Sequence, residues 1–116
     1  SHMGGVCYHG GVGDDESPPH YLKYREYRPI AYALQTMGIP FYIYGVNNPR
    51  TVHRYILHGA TCIPTLPYIP LLHQLSRHDW GFVGHSTPHP QWDAAMPNKL
   101  FECIAAGVPV IVHNAA

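Results

Sequence analysis

The 116-residue chain balances seven Lys and Arg against seven Asp and Glu, so it has no charge excess to draw it to nucleic acid or an anionic membrane. Ser1-His2-Met3 reads as a tag remnant, and residues 4–116 suffice for one domain but not two. Charged residues make up only 12% of the chain, about half the usual share, which suggests a surface partly covered by a missing partner domain or an oligomer contact. No apolar run reaches the roughly 18 residues of a transmembrane segment. Three cysteines without close spacing (Cys7, Cys62 and Cys103) read as buried, reduced thiols of a cytoplasmic protein.

Val6-Cys7-Tyr8-His9 predicts a first strand, closed by a tight Gly10-Gly11 loop. The loop runs to Pro19 and carries Asp14, Asp15 and Glu16. Between Tyr21 and Met37, Ile30, Leu34 and Met37 recur at helical spacing; Pro29 either opens that helix or kinks a longer one. The tyrosines crowded between Tyr21 and Tyr32 suggest packing and nothing more. Phe41 to Tyr44 is a second strand between Pro40 and Gly45, followed by an Asn47-Asn48-Pro49 turn and a short helix over 51–57. Thr61-Cys62-Ile63 is a third strand, and Pro64, Pro67 and Pro70 punctuate an extended connection to a short helix around Leu71, Leu72 and Leu75. Asp79 precedes a fourth strand over 80–83, residues 84–96 read as a loop, and a helix over 98–106 with a strand over 108–112 closes the chain.

Strands alternating with helices make βαβ units, and near-continuous apolar strands are those covered on both faces. The expected fold is therefore α/β: a three-layer, Rossmann-like domain with a mainly parallel sheet of about five strands.

Ligands of such sheets lie at the carboxyl ends of the strands. That rule selects the loops 10–19, 45–49, 64–70 and 84–96, with the last helix opening from the last loop. A helix start favours an anion because its unpaired N–H groups and its dipole both point there. Lys99 can reinforce that site, and Glu102, one turn further, can accept hydrogen bonds from a pair of sugar hydroxyls. The segment reads as a nucleotide site. Plainer readings stand beside it: Glu102 as a solvated helix residue, Lys99 as an i,i+3 ion pair worth a few tenths of a kcal/mol, and Gly10-Gly11 as a simple turn. Against the first, Leu100, Phe101, Ile104 and Ala105 surround Glu102 with apolar groups, where a carboxylate needs a partner. The glycines do not complete a dinucleotide fingerprint, and with acids following them only their backbone amides can help a phosphate.

Among ten histidines, His85 and His89 lie four apart, but Pro88 and Pro90 exclude a helix presenting both, so no metal site is expected. His85, directly after Gly84 at a strand end, is the histidine placed to touch a ligand. No nucleophile elbow or Cys–His arrangement is present, and Asp79 and Asp93 show no partner, which argues against an independent hydrolase.

Pro97-Asn98-Lys99-Leu100-Phe101-Glu102, followed by Ala105-Ala106-Gly107-Val108-Pro109-Val110-Ile111, resembles the nucleotide-sugar-binding lobe of the two-lobed (GT-B) glycosyltransferases, in particular the group-one-like enzymes. Weaker likenesses run through Tyr8 to Gly11, Ile43 to Gly45 and Asp79 to Phe82. The resemblance implies that Glu102 binds the ribose hydroxyls, that Lys99 and the backbone at Pro97 and Asn98 face the diphosphate, that Gly10 and Gly11 approach the donor phosphates, and that backbone around Ile63 meets the base. It implies a nucleotide diphosphate sugar as donor substrate, no cofactor and no metal. Alternatives in the same architecture are a nucleotide-sugar epimerase lobe and a non-catalytic binding or assembly module.

The chain departs from that pattern in three ways. Ala94 stands where many retaining members have a second Glu, and Asp14-Asp15-Glu16 replaces the basic residue that often follows the glycine loop. The chain also stops at Ala116, where the family usually continues, and lacks the acceptor-binding lobe. On its own it is expected to bind weakly and turn nothing over.

Overall fold

Five short strands, β1 (Val6–His9), β2 (Phe41–Tyr44), β3 (Ala60–Ile63), β4 (Trp80–Val83) and β5 (Val110–Val112), pair in the order β3-β2-β1-β4-β5. Every one of these pairings is parallel, so the sheet is wholly rather than mainly so. The computed structural model describes residues 2–19, 22, 25–84 and 96–112, the side chains of 96–98 excepted. Among the described residues four helices complete the α/β domain: α1 (Arg28–Thr36), α2 (Pro49–Leu57), α3 (Tyr68–Leu75) and α4 (Met96–Ala106). None of them is long and apolar enough to cross a membrane.

Alternation along β1 assigns its residues to the two faces. Val6 and Tyr8 join Phe41, Ile43, Tyr27, Ala31 and Tyr55 in one core, against α1 and α2. Cys7 and Tyr44 join Leu75 and Val108 in the other, against α3 and α4. Part of the tyrosine crowding thus has a packing account: Tyr27 is fully buried, its ring 4.3 Å from that of Tyr8 and edge-on to Phe82.

Several element bounds differ from the sequence expectation, each for a local reason. Pro29 lies in the first turn of α1 and opens it rather than kinking it. Asn48 caps α2 by accepting from the N–H groups of Arg50 and Thr51, so that helix begins at Pro49. Pro70, expected in an extended connection, sits in the first turn of α3, where a missing N–H costs nothing. β5 starts at Val110 rather than Val108 because the Val108 N–H closes α4 on the Cys103 carbonyl, at 2.9 Å. Asp79, read as partnerless, accepts from the Gly5 N–H at 3.0 Å and also meets His2. Asp93 lies outside the described residues.

The height of α4 over the sheet is set by one close approach. The Cys103 sulfur rests over Gly81 of β4, where a Cβ would lie 2.7 Å from it. Only a residue without a side chain lets α4 come this near, and α4 carries Lys99 and Glu102. The three cysteines are free thiols, Cys7 and Cys103 buried and Cys62 half-buried.

On the same face, His78 is 3% exposed and bridges two elements: its Nδ1–H donates to the Gly4 carbonyl at 2.9 Å, and its Nε2 accepts from the Tyr44 hydroxyl at 2.5 Å. Burial lowers its pKa more than the Gly4 hydrogen bond raises it. The unfolded chain therefore takes up a proton first as pH falls below about 6.5, and stability present above that pH is lost as pH drops through the folded value. The melting temperature should decline over that range in a pH series, and less steeply in a His78→Gln chain.

Candidate functional site

The chain runs β1, β2, β3 outward on one side of the sheet, then returns to place β4 on the other side of β1. In an open parallel sheet this reversal leaves a crevice at the carboxyl end of the first strand. His9, Tyr44 and Ile63 are in register there and form one row across the sheet's carboxyl edge.

Lys99 reaches this edge from the first turns of α4. Its Nζ donates to the His9 carbonyl at 2.7 Å and lies 5.0 Å from the centre of the Tyr8 ring. Gly10 makes this possible: at φ +134° it bends away, and a Cβ there would lie 2.1 Å from the ammonium. Arg25 stands beside it, donating to the Tyr8 hydroxyl at 3.0 Å, while that hydroxyl donates to the Gly11 carbonyl at 2.9 Å. Burial, with the neighbouring Arg25 charge, pushes the Lys99 ammonium down to about 8, against the raising effect of Glu102. Two cations are thus held close to one another at the end of β1, each on an oxygen of the protein itself.

Glu102 does not point into open solvent. Its carboxylate is 25% exposed and lies 3.4 Å from the His9 Nε2, on a ring that is itself 9% exposed. The ion pair entertained between Lys99 and Glu102 gives way to this arrangement, in which α4 sends one side chain to the His9 carbonyl and the other to its imidazole. Burial and the Lys99 charge lower the His9 pKa more than Glu102 raises it, so the imidazole is neutral near pH 7.

A cavity of about 270 Å³ opens next to this pair, lined by His9, Gly10, Gly11, Tyr44, Thr65 and Leu66 among others. A second, of about 220 Å³, continues from Gly11 and Gly45 toward Asn48 and Thr51 at the start of α2. Ile63 itself is not a wall of the first cavity, and its carbonyl accepts from the Gly45 N–H at 2.9 Å; the loop just beyond it supplies the wall.

The amide of Gly10 needs a correction. It donates to the Tyr44 carbonyl at 3.0 Å and is not available to a phosphate, so Gly10 contributes room rather than a donor. The acids of the loop that follows each have a partner within the chain. Asp14 accepts from the Thr51 hydroxyl, Asp15 pairs with Arg28 at 2.8 Å and Arg54 at 2.6 Å, and Glu16 pairs with Arg50. These partners lie on α1 and α2, and one of them, Thr51, also lines the second cavity.

Of the site residues expected from sequence, the structure brings Gly10, Gly11, Lys99 and Glu102 together at one end of β1. His85 lies outside the described residues, as do the side chains of Pro97 and Asn98. His9 and Arg25 were missed. His9 ends a strand at the sheet's carboxyl edge and Arg25 lies just before α1, and neither has a local sequence signal to mark it. Among the described residues no group of three His, Cys, Asp or Glu could hold a metal ion.

Comparison of the chain with known protein families, with curated proteins and with solved structures found no match.

Proposed function

We propose that this chain is the donor-binding lobe of a glycosyltransferase, taking a nucleoside diphosphate sugar at the carboxyl end of β1 and acting with an acceptor-binding lobe. The observation that carries the reading is the meeting of Lys99 and Gly10. A glycine removes the side chain that would displace the ammonium, and a second cation, Arg25, stands beside it. In this reading Lys99 uses one N–H on the His9 carbonyl and turns its others to the diphosphate. Glu102 accepts from the ribose hydroxyls, and the base enters the cavity walled by Tyr44, Thr65 and Leu66. The chain's part in catalysis is then electrostatic: fixed positive charge faces the diphosphate as it departs with the bond's electrons.

Titration calorimetry with UDP, GDP and ADP tests this. One of the three binds, and Glu102→Ala weakens that binding on the order of 100-fold, as loss of hydrogen bonds to a charged group requires. Failure of all three to bind removes the donor-lobe reading and leaves an assembly module. The epimerase alternative would take His9 and Glu102, 3.4 Å apart, as its acid/base couple. Conversion of a nucleotide sugar by the chain without any acceptor favours that alternative.

A further inference from the structure

His9 ends β1 with its ring buried and its Nε2 close to Glu102, yet that nitrogen makes no aligned hydrogen bond. Buried polar atoms are nearly always satisfied, so one left waiting beside a cavity is a group whose partner geometry completes on binding. The chemistry of the pair restricts what it can do. An ionised carboxylate only accepts, and a neutral imidazole donates from one nitrogen alone. The approach of Nε2 to the Glu102 oxygen is therefore attractive only if Nε2 carries the hydrogen. Lys99, three residues before Glu102 on α4, competes for the same carboxylate through its charge. Without His9 the carboxylate has every reason to turn toward the ammonium and away from the crevice.

We propose that His9 is a positioning residue for Glu102: its Nε2–H holds one carboxylate oxygen, aiming the other at the vicinal hydroxyls of a pentose, so that the site selects ribonucleoside over 2′-deoxyribonucleoside diphosphates. This rests on the nucleotide reading above, in which Glu102 meets the ribose, and adds to it the residue that aims the carboxylate. Both oxygens of the carboxylate are then used, one on the protein and one on the ligand. A deoxyribose leaves the outer oxygen short of a donor.

Two measurements test it. In the wild-type chain, imidazole ¹⁵N spectra should show His9 as the Nε2–H tautomer, with a signal that shifts on adding UDP, GDP or ADP but not on adding inorganic pyrophosphate, which fills the phosphate cradle alone. An Nδ1–H tautomer overturns the proposal. Calorimetry should then show the ribo forms binding roughly ten- to hundred-fold tighter than the 2′-deoxy forms, the span expected of a charge-assisted hydrogen bond. His9→Phe, which keeps the volume and loses the donor, should reduce that ratio to roughly three-fold or less, while His9→Gln, which can reach with an N–H, should restore most of it. A ratio unchanged in His9→Phe, or absent in the wild type despite tight binding, overturns the positioning role and leaves the donor-lobe reading standing. Absence of all nucleotide binding overturns both. If His9→Phe does not fold, the wild-type spectra and His9→Gln decide.

Discussion

Replacing Gly10 by alanine is expected to strip the chain of most of its affinity for a diphosphate while leaving it folded. The new methyl group would lie 2.1 Å from the Lys99 ammonium and 3.0 Å from the Tyr8 hydroxyl, at a φ of +134° that disfavours any side chain. The lysine end is the softest of these neighbours, so it moves. The backbone strain costs about 1–3 kcal/mol of stability. Losing the ammonium's charge-assisted bonds to a phosphate weakens binding roughly ten- to hundred-fold. Calorimetry beside a melting curve separates the two effects, and Lys99→Met should reproduce the weaker binding without the backbone strain. Binding at full strength in the Gly10→Ala chain would take Lys99 out of the site. The pH dependence follows from the same group. With its pKa lowered to about 8, Lys99 in the free chain sheds its proton above that value, whereas a bound anion favours the charged form. Affinity should be flat below pH 8, fall as pH rises through it, and be accompanied there by proton uptake.

Tyr27→Ala should be among the most damaging single substitutions for stability. The ring is fully buried between Tyr8 and Phe82, and removing a buried aromatic of this kind costs about 3–5 kcal/mol. Its hydroxyl donates to the Gly84 carbonyl at 2.7 Å and its N–H to the Tyr55 hydroxyl at 3.0 Å, so it also ties the end of β4 to α2. Tyr27→Phe isolates the first of these bonds. It leaves the Gly84 carbonyl buried without its donor, at about 1–3 kcal/mol. Urea denaturation of the two variants gives both numbers. A Tyr27→Ala loss no larger than that of Tyr27→Phe would mean that the ring itself contributes little.

The strands were legible because their signals are short-range. β2 and β4 are apolar runs bounded by Pro40 and Gly45 on one hand and by Asp79 and Gly84 on the other, and they occupy the expected positions. Helix starts were less so. Pro49 and Pro70 read as breaks in the sequence, and only the unpaired N–H groups of a first helical turn make them tolerable. Of the site, the helix that carries Lys99 and Glu102 could be read from spacing, but not what each side chain meets. Lys99 bonds a carbonyl 90 positions away, and the Glu102–His9 contact likewise joins opposite ends of the chain. Periodicity carries no information about such partners. The partners of Asp15 and Glu16 were illegible for a related reason: the sequence counts their negative charges but does not show the arginines of α1 and α2 that pair with them.

That belt of ion pairs has a consequence for how a ligand is received. Individually, exposed pairs of this sort add little to stability. Together they anchor the segment after β1 at Asp15 and Glu16, next to the Thr51 hydroxyl bond on Asp14, so part of the freedom that a glycine-rich turn would otherwise surrender on association is already gone. Concentrated salt, by screening the belt, should therefore slow capture and weaken retention even of an uncharged nucleoside, for which no direct electrostatic attraction is at stake.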